Sequence, residues 1–187
     1  GDVYKRQVKG FVTWIMPTNN ELTYLKNFNI HKERLKECAK IIGNHGMKFG
    51  LEFVGPKTLM SRDQFSFIRT INELGELIDA IDEKNVGYLL DTFHLYCANH
   101  SVDDLKFLNK EDIIMCQIND AVIGRSRDEQ IDLERDFPGK SGIIDTSPFL
   151  NFLNNIGYEG TVAAEPFNKE LNKMMIVDGA IGSFICI

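Results

Sequence analysis

Short runs of almost wholly apolar, β-forming residues recur along this chain, and helical periodicity follows most of them. The runs are GFVTWIM at 10–16, KFGLEFV at 48–54, NVGYLLD at 85–91, DIIMCQI at 112–118 and TVAAE at 161–165. A strand without a polar face has to be covered on both faces, so the pattern demands a parallel sheet clad in helices. The first helix is expected over residues 30–45, where Leu35, Cys38, Ala39 and Ile42 recur at helical spacing and Gly46 is placed to stop it. A second is expected from about Gln64 to Ile81, with Ile68, Ile71, Leu74 and Ile78 on one stripe. A short helix is expected near Ser101, which offers a cap, and another opens at Thr146-Ser147-Pro148 and ends at Asn155-Ile156-Gly157.

Polar residues stand at or near the exits of four of these strands: Glu52, Asp91, Gln117 and Glu165. In a β/α barrel the catalytic groups come from the C-terminal ends of several strands, which is where these residues fall. A doubly wound open sheet is the rival, but its phosphate fingerprints GxGxxG and GxxxxGK[ST] do not occur. An eight-stranded barrel needs about 250 residues, and only five strands are legible in these 187. The expected fold is therefore α/β, an incomplete (β/α)8 TIM barrel covering about strands 4 to 8.

Three carboxylates converging with no cation between them would repel one another while losing their hydration. A hard divalent ion removes both penalties. Oxygen donors from Glu52, Asp91, Gln117 and Glu165 suit Mg²⁺ or Mn²⁺ first, with Co²⁺ or Zn²⁺ admissible. Against this stands a plainer assignment for each acid taken alone, as a helix cap or a loop hydrogen-bond acceptor. His94, three residues past Asp91, is placed to face the same cavity as a substrate contact, although a loop histidine bonded to backbone fits as well. Asn119 and Asp120 follow Gln117 and are placed to orient the amide or a bound water. Lys57, Arg125 and Arg127 are candidate substrate contacts whose bland alternative is solvation. The loop RSRDEQIDLERDFPGKSG is long for a βα connection, the kind of segment that covers a site.

The 27 acidic against 21 basic residues, a formal net charge of -6, argue against a nucleic-acid surface. Cys38, Cys97, Cys116 and Cys186 form no CxxC pair and read as reduced thiols of a cytoplasmic protein. No apolar run is long enough to span a membrane. The opening GDVYKRQ, residues 1–7, has the look of a non-native start. The closing MMIVDGAIGSFICI, within 169–187, is apolar on all sides and reads as an atypical or truncated tail, which leaves 8–168 as the domain.

The segments GLEFVGPKT, LLDTFH, CQINDA, ERDFPGKSGIIDTSPFL and GYEGTVAAEPFN together resemble the xylose-isomerase-like TIM barrels, of the sugar phosphate isomerase/epimerase type, from about Val8 to Asn168. That resemblance implies a divalent metal held by Glu52, Asp91, Gln117 and Glu165. It also implies Glu52 and Glu165 as the acid/base pair, His94 as a substrate contact, and an arginine after the third ligand loosely matched by Arg125 or Arg127. Gln117 departs from the pattern, since many relatives carry histidine there, and a glutamine also occurs in relatives that dehydrate 3-dehydroshikimate. The implied activity is isomerisation or epimerisation of a sugar-like carbonyl compound through an enediolate, with a dehydratase as the alternative. An endonuclease-like phosphodiesterase of the same barrel is disfavoured by the four histidines and the acidic balance. An opened barrel leaves a long strand edge bare, so homo-oligomerisation or aggregation of an inactive fragment is the further expectation.

Overall fold

A computed structural model describes residues 9–168. In chain order its elements are β1 (Gly10–Ile15), β2 (Thr18–Asn19), α1 (Tyr24–Asn44), β3 (Lys48–Phe53), α2 (Lys57–Met60), β4 (Phe65–Ser66), α3 (Ile71–Ile81), β5 (Val86–Asp91), α4 (Thr92–Cys97), β6 (Ile113–Ile118), α5 (Ser147–Asn155) and β7 (Val162–Ala164). Short 3₁₀ turns lie at Val102–Leu105, Lys110–Asp112 and Arg127–Glu129. The opening GDVYKRQ, the closing MMIVDGAIGSFICI and Cys186 lie outside the described residues.

The five long runs form one parallel sheet in the order β1-β3-β5-β6-β7. Every strand lies beside its predecessor in the sheet, with no reversal of order. That progression is what an incompletely closed β/α barrel shows, and it is unlike a doubly wound sheet, whose order turns back at a switch point. A separate antiparallel pair, β2 with β4, sits outside this sheet.

Alternation along the strands divides the side chains between two faces. Phe49, Leu51, Phe53, Tyr88, Leu90, Cys116 and Ile118 face the helices, where they form the main core with Ala39, Ile71, Leu74, Leu77, Ile81, Phe149, Phe152 and Leu153. The other face, the concave one in a β/α barrel, carries the polar strand ends. Leu51 pairs with Tyr88, so the next residues, Glu52 and Leu89, share the concave face. Asp91 pairs with Gln117 and Gln117 with Ala163, so Asp91, Gln117 and Glu165 join them. A register shift between Tyr88 and Leu89 brings the β5–β6 pairs into that alignment. Trp14, paired with Glu52, is on the same face and 63% exposed on the edge strand.

The helices depart from the sequence expectation at their starts. α1 begins at Tyr24 behind the Thr23 cap, ahead of residue 30, because Tyr24 and Phe28 pack against the core and Tyr24 meets Phe67. α3 begins at Ile71, well after Gln64, because Thr70 and Glu73 close a capping box that fixes the start there. Ile68, assigned by periodicity to the helical stripe, is buried in the extended entry instead. α4 follows β5 without a connecting loop and was not anticipated, and the turn after Ser101 is 3₁₀. Among the described residues no helix is long and apolar enough to cross a membrane.

Candidate metal centre

Asp91 ends β5 and caps α4: its Oδ1 accepts the Phe93 backbone N–H at 2.7 Å. Strand and helix thus meet at one carboxylate, which fixes its orientation before any other group is considered. His94, on the first turn of α4, is wholly buried and faces back toward β3, where Gly55 N–H lies 3.3 Å from its Nδ1. Its Nε2 stands 3.7 Å from Glu52 Oε1. Glu52, Asp91 and His94 each present a ligand atom, and those atoms all lie within 4.8 Å of one another.

Asn119 organises the far side. Its Nδ2 donates to both Asp91 oxygens at 3.2 and 3.1 Å, and its Oδ1 accepts the Glu165 backbone N–H at 2.9 Å. Its own backbone is held by Thr92 Oγ1, which receives the Asn119 N–H at 2.9 Å. One buried amide therefore ties the end of β5 to the residue that follows β7. The Gln117 amide lies beside the Glu165 carboxylate and favours its charged form.

The cation within this cluster belongs to Arg135, which sequence reasoning passed over in favour of Arg125 and Arg127. Its side chain is 3% exposed. Nη1 donates to Asp91 Oδ2 at 2.6 Å and to Glu165 Oε2 at 3.1 Å, and Nη2 donates to Asp132 Oδ1 at 2.7 Å. Nη2 also lies 3.2 Å from His94 Nε2. The guanidinium sits over the rings of Phe93 and Phe167, 4.9 and 5.0 Å from their centroids. An arginine in a polar loop gives little warning of such burial. The cue was its place between the charged run and the Phe137-Pro138-Gly139 turn, which the backbone pairing of Asp120 with Asp136 folds inward.

One guanidinium faces four carboxylates, those of Glu52, Asp91, Asp132 and Glu165, and it does not neutralise them. Burial pushes the Glu52 carboxyl up to about 9, with the Asp91 charge adding to the effect and Arg135 opposing it. Burial also raises Glu165, again against Arg135. Burial and the adjacent guanidinium hold His94 down to about 3, so the ring is neutral. Burial works against the charge of Arg135 itself, but Asp91 and Asp132 override it and hold the guanidinium protonated.

Two oxygens in the cluster, Glu52 Oε1 and Gln117 Oε1, are buried with no hydrogen-bond partner. Buried acceptors are normally satisfied, and an orphaned pair on the strands either side of β5, beside the Asp91 carboxylate, is what a cation site presents. Glu52, Asp91 and His94 thus fit a divalent ion, while Gln117 contributes a buried free oxygen nearby and Glu165 stands outside that group of three.

The remaining residues singled out from the sequence lie away from this cluster. Asp120 is fully buried, but its oxygens accept the backbone N–H groups of Ala121, Ser141, Gly142 and Ile144, so it organises the loop. Lys57 on α2 pairs with Asp128 at 2.6 Å, both side chains exposed. Arg125 pairs with Glu134, while Arg127 bonds Asn99 and lies over the Tyr96 ring. These three cations sit on segments that follow the strand ends, each with a partner.

Comparison with known proteins places the geometry in context. Residues 13–181 match the family described as xylose isomerase-like TIM barrel. The inosose isomerase of Bacillus licheniformis is 30% identical over 145 residues, 76% of this chain and 48% of that protein. The inosose isomerase of Bacillus subtilis is 30% identical over 143 residues, 75% of this chain and 47% of its own length. The chain spans about half the length of the curated relatives it matches. Among solved structures, a xylose isomerase domain protein from Alicyclobacillus acidocaldarius superposes with a TM-score of 0.77 at 32% identity, covering 84% of this chain and 55% of that one. The IOLI protein, solved with a bound zinc atom, shares the fold with a TM-score of 0.79 at 24% identity, over 95% of this chain and 61% of its own.

Proposed function

Since the chain belongs to the xylose isomerase-like TIM barrel family, we propose that it forms about strands 4 to 8, residues 8–168, of a divalent-metal-dependent isomerase or epimerase acting on a sugar-like carbonyl compound. The observation that carries this is the pair of buried, unpartnered oxygens on Glu52 and Gln117 beside Asp91. Glu52, Asp91, Gln117 and Glu165 would hold the ion. When bound, it would polarise a substrate carbonyl and stabilise the negative charge that develops as the adjacent carbon loses a proton. Mn²⁺ or Mg²⁺ is the preferred ion, because the amide oxygen of Gln117 is a harder donor than an imidazole.

Glu52 and Glu165 are the acid/base pair in this proposal. Glu52 is the more deeply buried of the two, and a cation bound beside it would hold its carboxylate ionised and able to take a proton. Neutral His94 contacts a substrate hydroxyl, and Asn119 keeps Asp91 and the Glu165 backbone in place. Lys57, Arg125 and Arg127 are rim contacts for substrate oxygens. The name of the curated relatives points to a polyhydroxylated cyclic ketone as the first substrate to offer. Buried, free Cys97 and Cys116 suit a reducing cytoplasm.

The test is incubation with inososes and ketoses plus Mn²⁺ in deuterium oxide. Label entering the carbon next to the carbonyl is expected; no exchange with any of them by a protein that binds Mn²⁺ would refute the isomerase assignment. Gln117 favours a second reading, a dehydratase that expels a hydroxyl from the neighbouring carbon. That reaction would announce itself by the absorbance of a conjugated product.

A further inference from the structure

Arg135 presents a conflict that the metal reading leaves open. Its guanidinium donates to Asp91 Oδ2 and Glu165 Oε2, two of the four side chains assigned to the ion. A fixed positive charge and a divalent ion cannot share those oxygens without strong mutual repulsion. The position is also imperfect for the arginine. The Gly55 N–H points at His94 Nδ1, while Arg135 Nη2 lies against Nε2. A neutral imidazole accepts at one ring nitrogen only, so one of these two donors is poorly met.

Its other contacts suit movement. Asp132 holds both Nη2 and, through its carbonyl, Nε; Asp132 lies three residues away on the same loop and would travel with the arginine. The two flanking rings, Phe93 and Phe167, contribute faces to the cation without fixing its hydrogen-bond direction. The bonds to Asp91 and Glu165 and the contact with His94 hold the guanidinium against the proposed ligands.

We infer that Arg135 is a displaceable internal cation, one that occupies the carboxylate cluster of the metal-free protein and withdraws when the divalent ion binds. It keeps the cluster from flying apart before loading and sets a penalty on metal affinity. This inference rests on the metal reading proposed above.

The test measures metal affinity. Mn²⁺ is titrated calorimetrically into the 187-residue chain and its Arg135→Met variant. Removing the competitor should tighten Mn²⁺ binding by about ten- to hundredfold, the equivalent of one charge-assisted hydrogen bond released, while the metal-free variant melts lower. A purely structural or ligand-orienting arginine moves affinity the opposite way or leaves it unchanged, and either result overturns the inference while the metal reading stands. Failure of both proteins to bind Mn²⁺ overturns the metal reading and this inference with it. Should the variant not fold, the wild-type chain decides: phenylglyoxal modification of Arg135, followed by mass spectrometry, should accelerate when Mn²⁺ is added. Equal reactivity with and without the ion would overturn the proposal.

Discussion

Replacing Asn119 with alanine removes the amide that joins β5 to the exit of β7. Asp91, sealed from solvent, loses the two bonds from Asn119 Nδ2 and keeps only the Phe93 N–H and Arg135. The Glu165 N–H loses its acceptor, but Glu165 is half-buried and water replaces part of that bond. A hydrogen bond to a buried charge contributes about 1.5–3 kcal/mol and an orphaned amide costs about 1–3, so with water discounted the loss should be about 2–4 kcal/mol. Urea unfolding without metal measures it. The same change frees the orientation of a proposed ligand, which should weaken Mn²⁺ binding about 10–100-fold in calorimetry. Asn119→Ala and Arg135→Met thus act on the same carboxylate with opposite signs on affinity. A stability loss below about 1 kcal/mol with unchanged Mn²⁺ affinity would refute the role given to Asn119.

Gly55→Ala places a Cβ 2.3 Å from the His94 carbonyl oxygen, so the β3 exit must move off α4; urea unfolding should show a loss of about 1–3 kcal/mol, and a wild-type midpoint would contradict the packing described. Asp120 would be raised by burial, but backbone N–H donors override that and hold it below its usual range. Its contribution is therefore complete above the unfolded value of about 3.9 and fades as pH falls below it. Asp120→Asn turns a donor toward the Ser141 and Gly142 N–H groups; it should cost about 3 kcal/mol at neutral pH and flatten the acid limb, and acid unfolding identical to wild type would count against it. The edge strand β1, unpaired on its outer side among the described residues and with Phe11, Val12 and Trp14 exposed, should drive association, visible as a concentration-dependent sedimentation coefficient. A sharp monomeric unfolding transition at every concentration would contradict that.

What was legible in the sequence is what depends on local pattern. The apolar runs located all five parallel strands to within a residue or two at their ends, because a strand covered on both faces leaves a continuous apolar signature. The strand-exit positions of Glu52, Asp91, Gln117 and Glu165 followed from that. Helix starts were less legible. Ile68 keeps the stripe's spacing with Ile71 but precedes the Thr70 cap, and periodicity alone does not see a cap that breaks it. α4 was hidden because Asp91 serves as strand end and helix cap at once. Arg135 escaped for a tertiary reason: in the sequence it is one charge among several in a polar loop. It is carried inward by tertiary contacts, the Asp120–Asp136 pairing and the four backbone donors that gather on the Asp120 carboxylate among them. Lys57, Arg125 and Arg127 drew attention by position, and each is matched by an acid or amide that the sequence gives no means of pairing with it.

The most direct measurement is an anomalous difference map from crystals of this chain soaked in Mn²⁺. A single strong peak on the concave face is expected, within bonding distance of oxygens from Glu52, Asp91, Gln117 and Glu165. A well-soaked crystal with the ion bound elsewhere, or with no ordered ion at those strand ends, would contradict the shared site on which the proposed chemistry stands.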